Sequence, residues 1–535
     1  MYLILLLLLF IKLIKTQELF TSSIELNQLL NIEKEIPKII ENYIKLENER
    51  LENLKKLSIK YQKSDEFIYL NSKDILNPLN ALNIIKKLTK IWEKIKKEIQ
   101  SDLAENYLKN ISKETYFPTE EDLNESIKGL LLLQDVYKLK TKDLANGILL
   151  DNININKQMN VKDCYEIAIY AYNEKDYYHS LLWIQEAYER NKYEKISKIN
   201  NSDILNILSI SLYKQGNLKK ALEINNKLIN IDPLYPNAVN NSKLIEQKLK
   251  NNGIPKEDFN KNIPSNNFRN LNNNKTEDYI ENLKEISKFY CYYKMDHSFL
   301  RLAPIKVEII HFKPLIVIFR NIISDKENEL MKNLSIPKLV WGQTQNPKTG
   351  EIKLVKYRNT KNAWLNGRHH PFIKQLAKRL MLMTNLNMKT AESLQMGNYG
   401  INGHVELHYD FAKSNAEHTK LIRGNRIATI LFYLTIPEKG GYTIFTNIKK
   451  LIKPTKNDAI FWYNLMRNGD GDYRTIHGSC PVLVGEKWIS TSWIHEWEQE
   501  FLRPCALSPL IEERYVGDLG CPEPKKYPNI FTYCK

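Results

Sequence analysis

After its first sixteen residues this 535-residue chain has no hydrophobic run long enough to cross a bilayer as a helix. Any transmembrane helix further along is thereby excluded. The one uninterrupted stretch of hydrocarbon, Tyr2 to Ile11, is itself too short to span comfortably and reads as the core of a signal peptide. No basic residue precedes it; Lys12 and Lys15 follow, and removal near Thr16 or Gln17 is expected, leaving no membrane span. An uncleaved anchor is the other reading. Cysteine is scarce, with six residues, although a secretory address would permit disulfides. The sequence ends Tyr533-Cys-Lys535, without a Lys-Asp-Glu-Leu-type signal, so a lumenal protein of this kind would be retained by something else. No nucleic-acid-binding motif is present. The net charge of +16 comes from lysines spread along the whole chain, often beside glutamates, in a sequence also rich in asparagine. That is a compositional bias rather than a basic patch, and no nucleic-acid partner is expected.

The first half is rich in helical periodicity. From Leu19 to Leu57 apolar residues recur at helical spacing, among them Leu26, Leu29, Ile36 and Ile40, with Pro37 placed to kink or split the helix. A second stripe includes Leu82, Ile85, Leu88 and Ile95. Residues 161–249 read as two helix pairs with turns at Asn173–Asp176 and Gln215–Asn217. Ala171 and Leu212, Asp176 and Asn217, and Ala187 and Leu228 hold equal places in a repeat of 41 residues. Stacked pairs of this tetratricopeptide kind form a concave groove suited to extended peptides. Asn251 to Thr276 is asparagine-rich, with little periodicity, and reads as a linker.

The second half changes character. Between Glu392 and Trp493 short apolar strands alternate with turn signals such as Asn402-Gly403, Gly440-Gly441 and Asn468-Gly-Asp-Gly471. That pattern predicts an antiparallel barrel or jelly roll whose mouth can hold a metal. Two residues in one strand, His408 and Asp410, would share a face. With His477 from a distant strand they would complete a two-histidine, one-carboxylate set, which leaves positions open on Fe(II) for a cosubstrate and oxygen. Lys487, ten residues beyond His477, is placed to hold the far carboxylate of a bidentate 2-oxo acid. His404-Val-Glu406 offers the same spacing but directly follows a turn signal, and His369, His370, His418 and His495 read as surface or packing histidines.

An ordered series of stretches closely resembles the catalytic domain of collagen prolyl 4-hydroxylase alpha subunits. It includes Asn398-Tyr-Gly400, His408-Tyr-Asp-Phe411, Gly424-Asn-Arg-Ile-Ala-Thr429, Phe461-Trp-Tyr-Asn464, Cys480-Pro-Val-Leu-Val-Gly485, Lys487-Trp488 and Trp493-Ile-His-Glu496. The resemblance continues upstream through Pro78-Leu-Asn-Ala81, Tyr116-Phe-Pro118 and Leu133-Gln-Asp-Val-Tyr137. It implies hydroxylation of C4 of proline in procollagen-like chains, with Fe(II), 2-oxoglutarate and O2 as reactants and L-ascorbate keeping the iron reduced. It implies iron ligands at His408, Asp410 and His477, with Lys487, Tyr399, Thr443 and Trp493 around 2-oxoglutarate. The resemblance implies Arg426 near the peptide and a disulfide between Cys480 and Cys505, and Val405 stands where the family commonly has an aromatic. Cys521 and Cys534 could pair with each other. Cys291 has no cysteine shortly upstream to complete a second bridge of the family, and Cys164 reads as a buried free thiol. In the repeat domain, tyrosines that would meet a proline-rich peptide fall at Ile207, Ile210 and Leu244, leaving Tyr213 with Tyr177 and Tyr178 nearby; a weakened preference for Pro-Pro-Gly is expected. The family also implies dimerisation through the amino-terminal helices and protein disulfide isomerase as the beta subunit, in an α2β2 assembly of the endoplasmic reticulum lumen.

The expected organisation is multidomain. A leader at 1–16 precedes a helical dimerisation domain at 17–150, a tetratricopeptide-like domain at 151–250 and a linker at 251–305. A double-stranded β-helix (jelly-roll) catalytic domain occupies 306–505, with an extension at 506–535. Sequons at Asn110, Asn124, Asn274 and Asn333 suggest a glycoprotein. Two other functions stay open: hydroxylation of other proline-rich secreted proteins, or a non-catalytic lumenal scaffold.

Overall fold

The computed structural model describes residues 22–46, 77–99, 117–150, 153–154, 158–194, 199–252, 288–341, 343–345, 352–354, 360–413 and 423–519. The expected leader, most of the linker, His418, and Cys521 with Cys534 lie outside them. Two compact units are present. One comprises residues 48–57 and 79–273, the other residues 1–47, 58–78 and 274–535.

The first unit is helical. Its helices begin where side chains satisfy the otherwise unpaired first amides. Thr119 exchanges hydrogen bonds with Asp122 to start Glu120–Tyr137, and Asn160 does so with Asp163 to start Val161–Asn173. Two helix pairs follow, Val161–Asn173 with Tyr177–Asn191 and Asn201–Lys214 with Leu218–Ile231, and then Ala238–Asn252. The paired turns repeat in conformation as well as in sequence. Lys175 and Gly216, one repeat apart, both have positive φ, at 62° and 83°. Glycine meets that demand without strain, whereas lysine must tolerate it. Ala171, Ala187, Leu212 and Leu228 are all buried between the pairs, so the repeat read from sequence is the packing repeat. Cys164 is a buried free thiol in the first turn of its helix. Lys86, on the helix Pro78–Ile99, pairs with Asp163 at 2.5 Å and Glu166 at 2.6 Å and so fastens that helix to the first repeat.

The second unit is built on antiparallel strands. In chain order those that matter here are β1 (Cys291–Lys294), β2 (Ile305–Phe312), β3 (Leu315–Arg320), β4 (Val340–Trp341), β5 (Lys361–Leu365), β6 (Leu394–Tyr399), β7 (Val405–His408), β8 (Arg426–Tyr433), β9 (Thr443–Phe445), β10 (Lys450–Ile452), β11 (Ala459–Tyr463), β12 (His477–Ser479) and β13 (Lys487–His495). Nine form one sheet in the order β1-β2-β3-β11-β8-β13-β6-β5-β4, and four form a second in the order β7-β12-β9-β10. Side-chain alternation decides what each face does. Ala428, Ile430 and Phe432 of β8, Phe461 of β11, Met396 of β6 and Ile494 of β13 enter a core shared with Leu376 and Leu380 of the helix Pro371–Thr384. The intervening residues of the same strands, Leu431, Tyr433, Trp462 and Ile489, form a second apolar cluster with Phe445 and Ile452 of the smaller sheet. The functional cavity lies on that inner side.

The helix Ser23–Leu46 is part of this second unit, not of the helical one, and it runs unbroken through Pro37. Its residue Ile24 packs on the core of the large sheet.

Candidate metal centre

β7 ends at His408 and β12 begins at His477, and these two residues face each other in register. The pairing is irregular between Val405 and His408. The i, i+2 spacing predicts Asp410 on an extension of β7; it sits instead in the bend that follows the strand. The carboxylate still reaches the same point. His408 Nε2 lies 3.5 Å from Asp410 Oδ1, His477 Nε2 lies 3.7 Å from Asp410 Oδ2, and the imidazole centroids are 4.4 Å apart. One ligand atom from each residue falls within 4.8 Å of the others.

Both imidazoles are set for metal binding. His408 Nδ1 lies 2.8 Å from the Glu406 carbonyl oxygen, and His477 Nδ1 lies 3.0 Å from that of Thr475. A carbonyl only accepts, so each Nδ1 carries the proton and each Nε2 presents a lone pair to the centre. The carboxylate is oriented as well. Thr429 Oγ1 donates to Asp410 Oδ2 at 2.7 Å, and Asn464 Nδ2 donates to Thr429 Oγ1 at 2.8 Å. Thr429 and Asn464 are both fully buried. Burial would push the Asp410 carboxyl up, but the His477 and His408 imidazoles and Arg426 outweigh it and hold the group well below the usual carboxylate range. An open two-histidine, one-carboxylate set of this kind fits Fe(II).

The cavity continues from the triad along β12. The empty space there is about 510 Å³ with the open solvent at its mouth included. Ser479, two residues beyond His477, also lines it, and two residues of strand advance the chain roughly 7 Å. There Lys487 Nζ donates to Ser479 Oγ at 2.8 Å, lying 5.1 Å from the Tyr399 ring centroid and 5.9 Å from that of Tyr433. Tyr433 Oη donates to Thr443 Oγ1 at 2.7 Å. Lys487 is 1% exposed, and burial pushes its ammonium down to about 7. One end of the cavity thus suits a divalent ion and the other a distal carboxylate, with a short span between them. Tyr399, Thr443 and Trp493 all line this space. Trp493 presents a buried indole N–H that has no acceptor among the described residues.

Other candidate residues are not part of the ligand set. Arg426 is tied to Glu392 at 2.6 Å and lies over the Trp493 ring at 4.1 Å, so it braces a cavity wall. Tyr213 belongs to the helical unit, where Lys248 Nζ covers its ring at 4.7 Å. His404 is buried against the Asn402 carbonyl at 2.8 Å, and His495 is held by Glu392 at 3.0 Å; neither joins the triad. The Cys480–Cys505 bridge implied by resemblance is not formed: both residues are free. Their surroundings differ. The Cys480 thiol, pushed up to about 11 by burial, lies within the field of Lys487, whereas Cys505 is exposed. Cys291 is likewise exposed and free.

Three regions match family models. Residues 22–151 match the prolyl 4-hydroxylase alpha-subunit amino-terminal region, 161–251 the prolyl 4-hydroxylase peptide-substrate-binding domain, and 394–495 the 2OG-Fe(II) oxygenase superfamily. Prolyl 4-hydroxylase subunit alpha-1 of Caenorhabditis elegans is 44% identical over 96% of this chain and 95% of its own length. The chain belongs to the prolyl 4-hydroxylase alpha-subunit family. Subunit alpha-1 of Homo sapiens is 35% identical, covering 92% of this chain and 96% of its own. Among solved structures, a viral collagen prolyl hydroxylase from Paramecium Bursaria Chlorella virus-1 in complex with 2OG is 25% identical. It covers 33% of this chain and 94% of the viral one, with a TM-score of 0.27.

The 2OG-Fe(II) oxygenase superfamily uses Fe(II) and 2-oxoglutarate, and the triad is a group of side chains that could hold the metal. Four site residues escaped the sequence reading: Thr429, Asn464, Ser479 and Tyr433. Ser479 was within reach of strand parity, two residues after a proposed ligand. Thr429 and Asn464 gave no local signal, because their link to Asp410 depends on how β8 and β11 pair. Thr429→Val removes the donor without changing shape and is expected to weaken Fe(II) binding roughly 10–100-fold. Titrating the metal-free protein with Mn(II) as a surrogate would measure it; an unchanged dissociation constant would show that the hydroxyl does not govern the carboxylate.

Proposed function

We propose that this chain is the catalytic alpha subunit of a procollagen-type prolyl 4-hydroxylase of the endoplasmic reticulum lumen. The observation that carries this reading is the shared cavity: an oriented triad at one end and a buried lysine at the other. Ferrous iron with 2-oxoglutarate supplies the oxygen chemistry, in which one atom of O2 enters the C4–H bond of proline and the other enters succinate as CO2 is released. The protein's own residues position the reactants and exclude water. His408, Asp410 and His477 hold the metal on one side and leave the cavity side open. Lys487, with Ser479 beside it, receives the distal carboxylate, while Tyr399 and Tyr433 wall the lysine from water. Leu431, Ile489 and Trp462 add apolar wall to that space, which Gln395 and Thr491 also line, and low-dielectric wall strengthens the grip of a single cation. The Trp493 indole N–H is available to an acceptor brought by the reactants.

The peptide is a proline-rich, procollagen-like chain, also engaged by the helical repeats. Ile207 is buried, Ile210 half-buried and Leu244 exposed, and the Tyr213 face is occupied by Lys248. These features support a repeat surface with little bare aromatic area and a weakened attraction for Pro-Pro-Gly. Protein disulfide isomerase is the proposed beta subunit, in an α2β2 assembly, and ascorbate the reductant that restores ferrous iron. Among the described residues no helix is long and apolar enough to cross a membrane.

The test is turnover. Protein co-expressed with the isomerase should release succinate from 2-oxoglutarate in proportion to added (Pro-Pro-Gly) peptide, with 4-hydroxyproline appearing in equal amount. Iron-loaded protein that stays inert with every proline-rich peptide would favour a scaffold.

A further inference from the structure

The first turn of the helix Ser23–Leu46 carries polar groups in a place where burial normally disfavours them. Ser22 and Ser23 are both 0% exposed. The Ser23 hydroxyl is fully used: Oγ donates to Glu486 Oε2 at 2.7 Å and accepts from Asn398 Nδ2 at 2.9 Å. Asn398 is itself 0% exposed, and Glu486 Oε2 takes a further hydrogen bond from Trp488 Nε1 at 3.2 Å. Two residues on, Glu25 is ion-paired with Lys361, a lysine that is 7% exposed. Lys361, Asn398 and Trp488 form one cross-strand row of the large sheet, in register across β5, β6 and β13. The start of the helix is therefore fastened along this row.

What lies on the inner face gives this contact a consequence. Tyr399 follows Asn398, Lys487 follows Glu486, and Tyr399 and Lys487 are themselves a register pair. Both line the cavity near the end away from the triad. One serine hydroxyl thus binds the residue preceding each member of the pair. Ser23, Asn398 and Glu486 do not line the cavity, so their effect on it passes through the backbones of β6 and the start of β13. Losing the Ser23 hydroxyl leaves a wholly buried amide without its partner and removes one of two donors from the Glu486 carboxylate. Such groups shift to find new partners, and strand residues attached to them shift too.

We infer that Ser23 is a positioning residue for the cosubstrate: the amino-terminal helix sets the Tyr399–Lys487 pair from behind and thereby the affinity for 2-oxoglutarate. This rests on the cosubstrate reading of that cavity. The amino-terminal region is then part of the active-site apparatus and not only an assembly device.

Ser23→Ala in the full chain with its partner should raise the KM for 2-oxoglutarate roughly three- to tenfold. The kcat and the peptide KM should stay within twofold of wild type. Ser23→Thr, which restores a hydroxyl, should recover most of the affinity. Glu486→Gln gives the same readout from the other side of the contact and carries the test if the alanine variant does not fold. An unchanged 2-oxoglutarate KM in the folded variants would overturn the inference. So would a parallel loss of kcat and of both KM values, which would mark the contact as general support. Inactive wild type would instead sink the reading on which it rests.

Discussion

Replacing His408 by alanine is expected to abolish peptide-dependent turnover while leaving the protein folded. The loss should exceed the roughly 10–100-fold that follows removal of an outer partner, because one of three metal-bound atoms is gone. Two remaining ligands cannot hold Fe(II) at working concentrations, and titration of the variant with Mn(II) should show it. The stability cost should be small. The His408 side chain is 26% exposed, and it gives up one hydrogen bond, to the Glu406 carbonyl, worth about 1 kcal/mol. The informative control is His404→Ala. His404 is 6% exposed, and its Nδ1 is spent on the Asn402 carbonyl. That variant should lose melting temperature yet retain metal binding. The two neighbouring histidines would then separate, one needed for iron and the other for the turn that leads into β7. Retained activity in His408→Ala, or metal loss in His404→Ala, would overturn the ligand assignment.

Much of this site could be read from the sequence because its residues obey local rules. The strands of the second unit announce themselves by apolar alternation, and the alternation itself sorts Ile430 and Phe432 to the core from Leu431 and Tyr433 to the cavity side. The repeat of 41 residues reappears as paired positive-φ turns at Lys175 and Gly216. What was not legible depends on distant partners. Nothing near Asp410 shows that it falls beyond the end of β7, since the strand's extent depends on its pairing with the distant β12. Nothing near Ser23 points to Glu486, 463 residues away. Pro37 marked a possible break, yet the helix continues, because a helix held by Leu29, Ile36 and Ile40 on a buried face tolerates one missing hydrogen bond. The cysteine pairing implied by resemblance is not seen in this structure, where Cys480 and Cys505 are both free.

Lys487 should make 2-oxoglutarate affinity depend on pH. Burial is what pushes its ammonium down to about 7, and no carboxylate counters it. The groups around it are neutral: the Ser479 hydroxyl, the Tyr399 ring, the Tyr433 phenol, which burial pushes up, and the Cys480 thiol, pushed up to about 11. The distal carboxylate of 2-oxoglutarate needs the cationic form. Below pH 7 the lysine is already charged and the KM should be flat. Above pH 7 binding must take up a proton, so the KM should climb, approaching tenfold per pH unit until the lysine's higher pKa in the complex is reached. Lys487→Met removes the cation and should raise the KM by roughly 10²–10³-fold, in keeping with loss of one partner of a buried charge pair. The same variant should melt at a higher temperature than wild type without cosubstrate near pH 6, where the folded protein otherwise carries a buried, uncompensated ammonium. Near pH 9 that gain should shrink, because the folded lysine has released its proton. A KM that is flat from pH 6 to 9 in wild type, or a Met variant that binds 2-oxoglutarate normally, would remove Lys487 from the cosubstrate site.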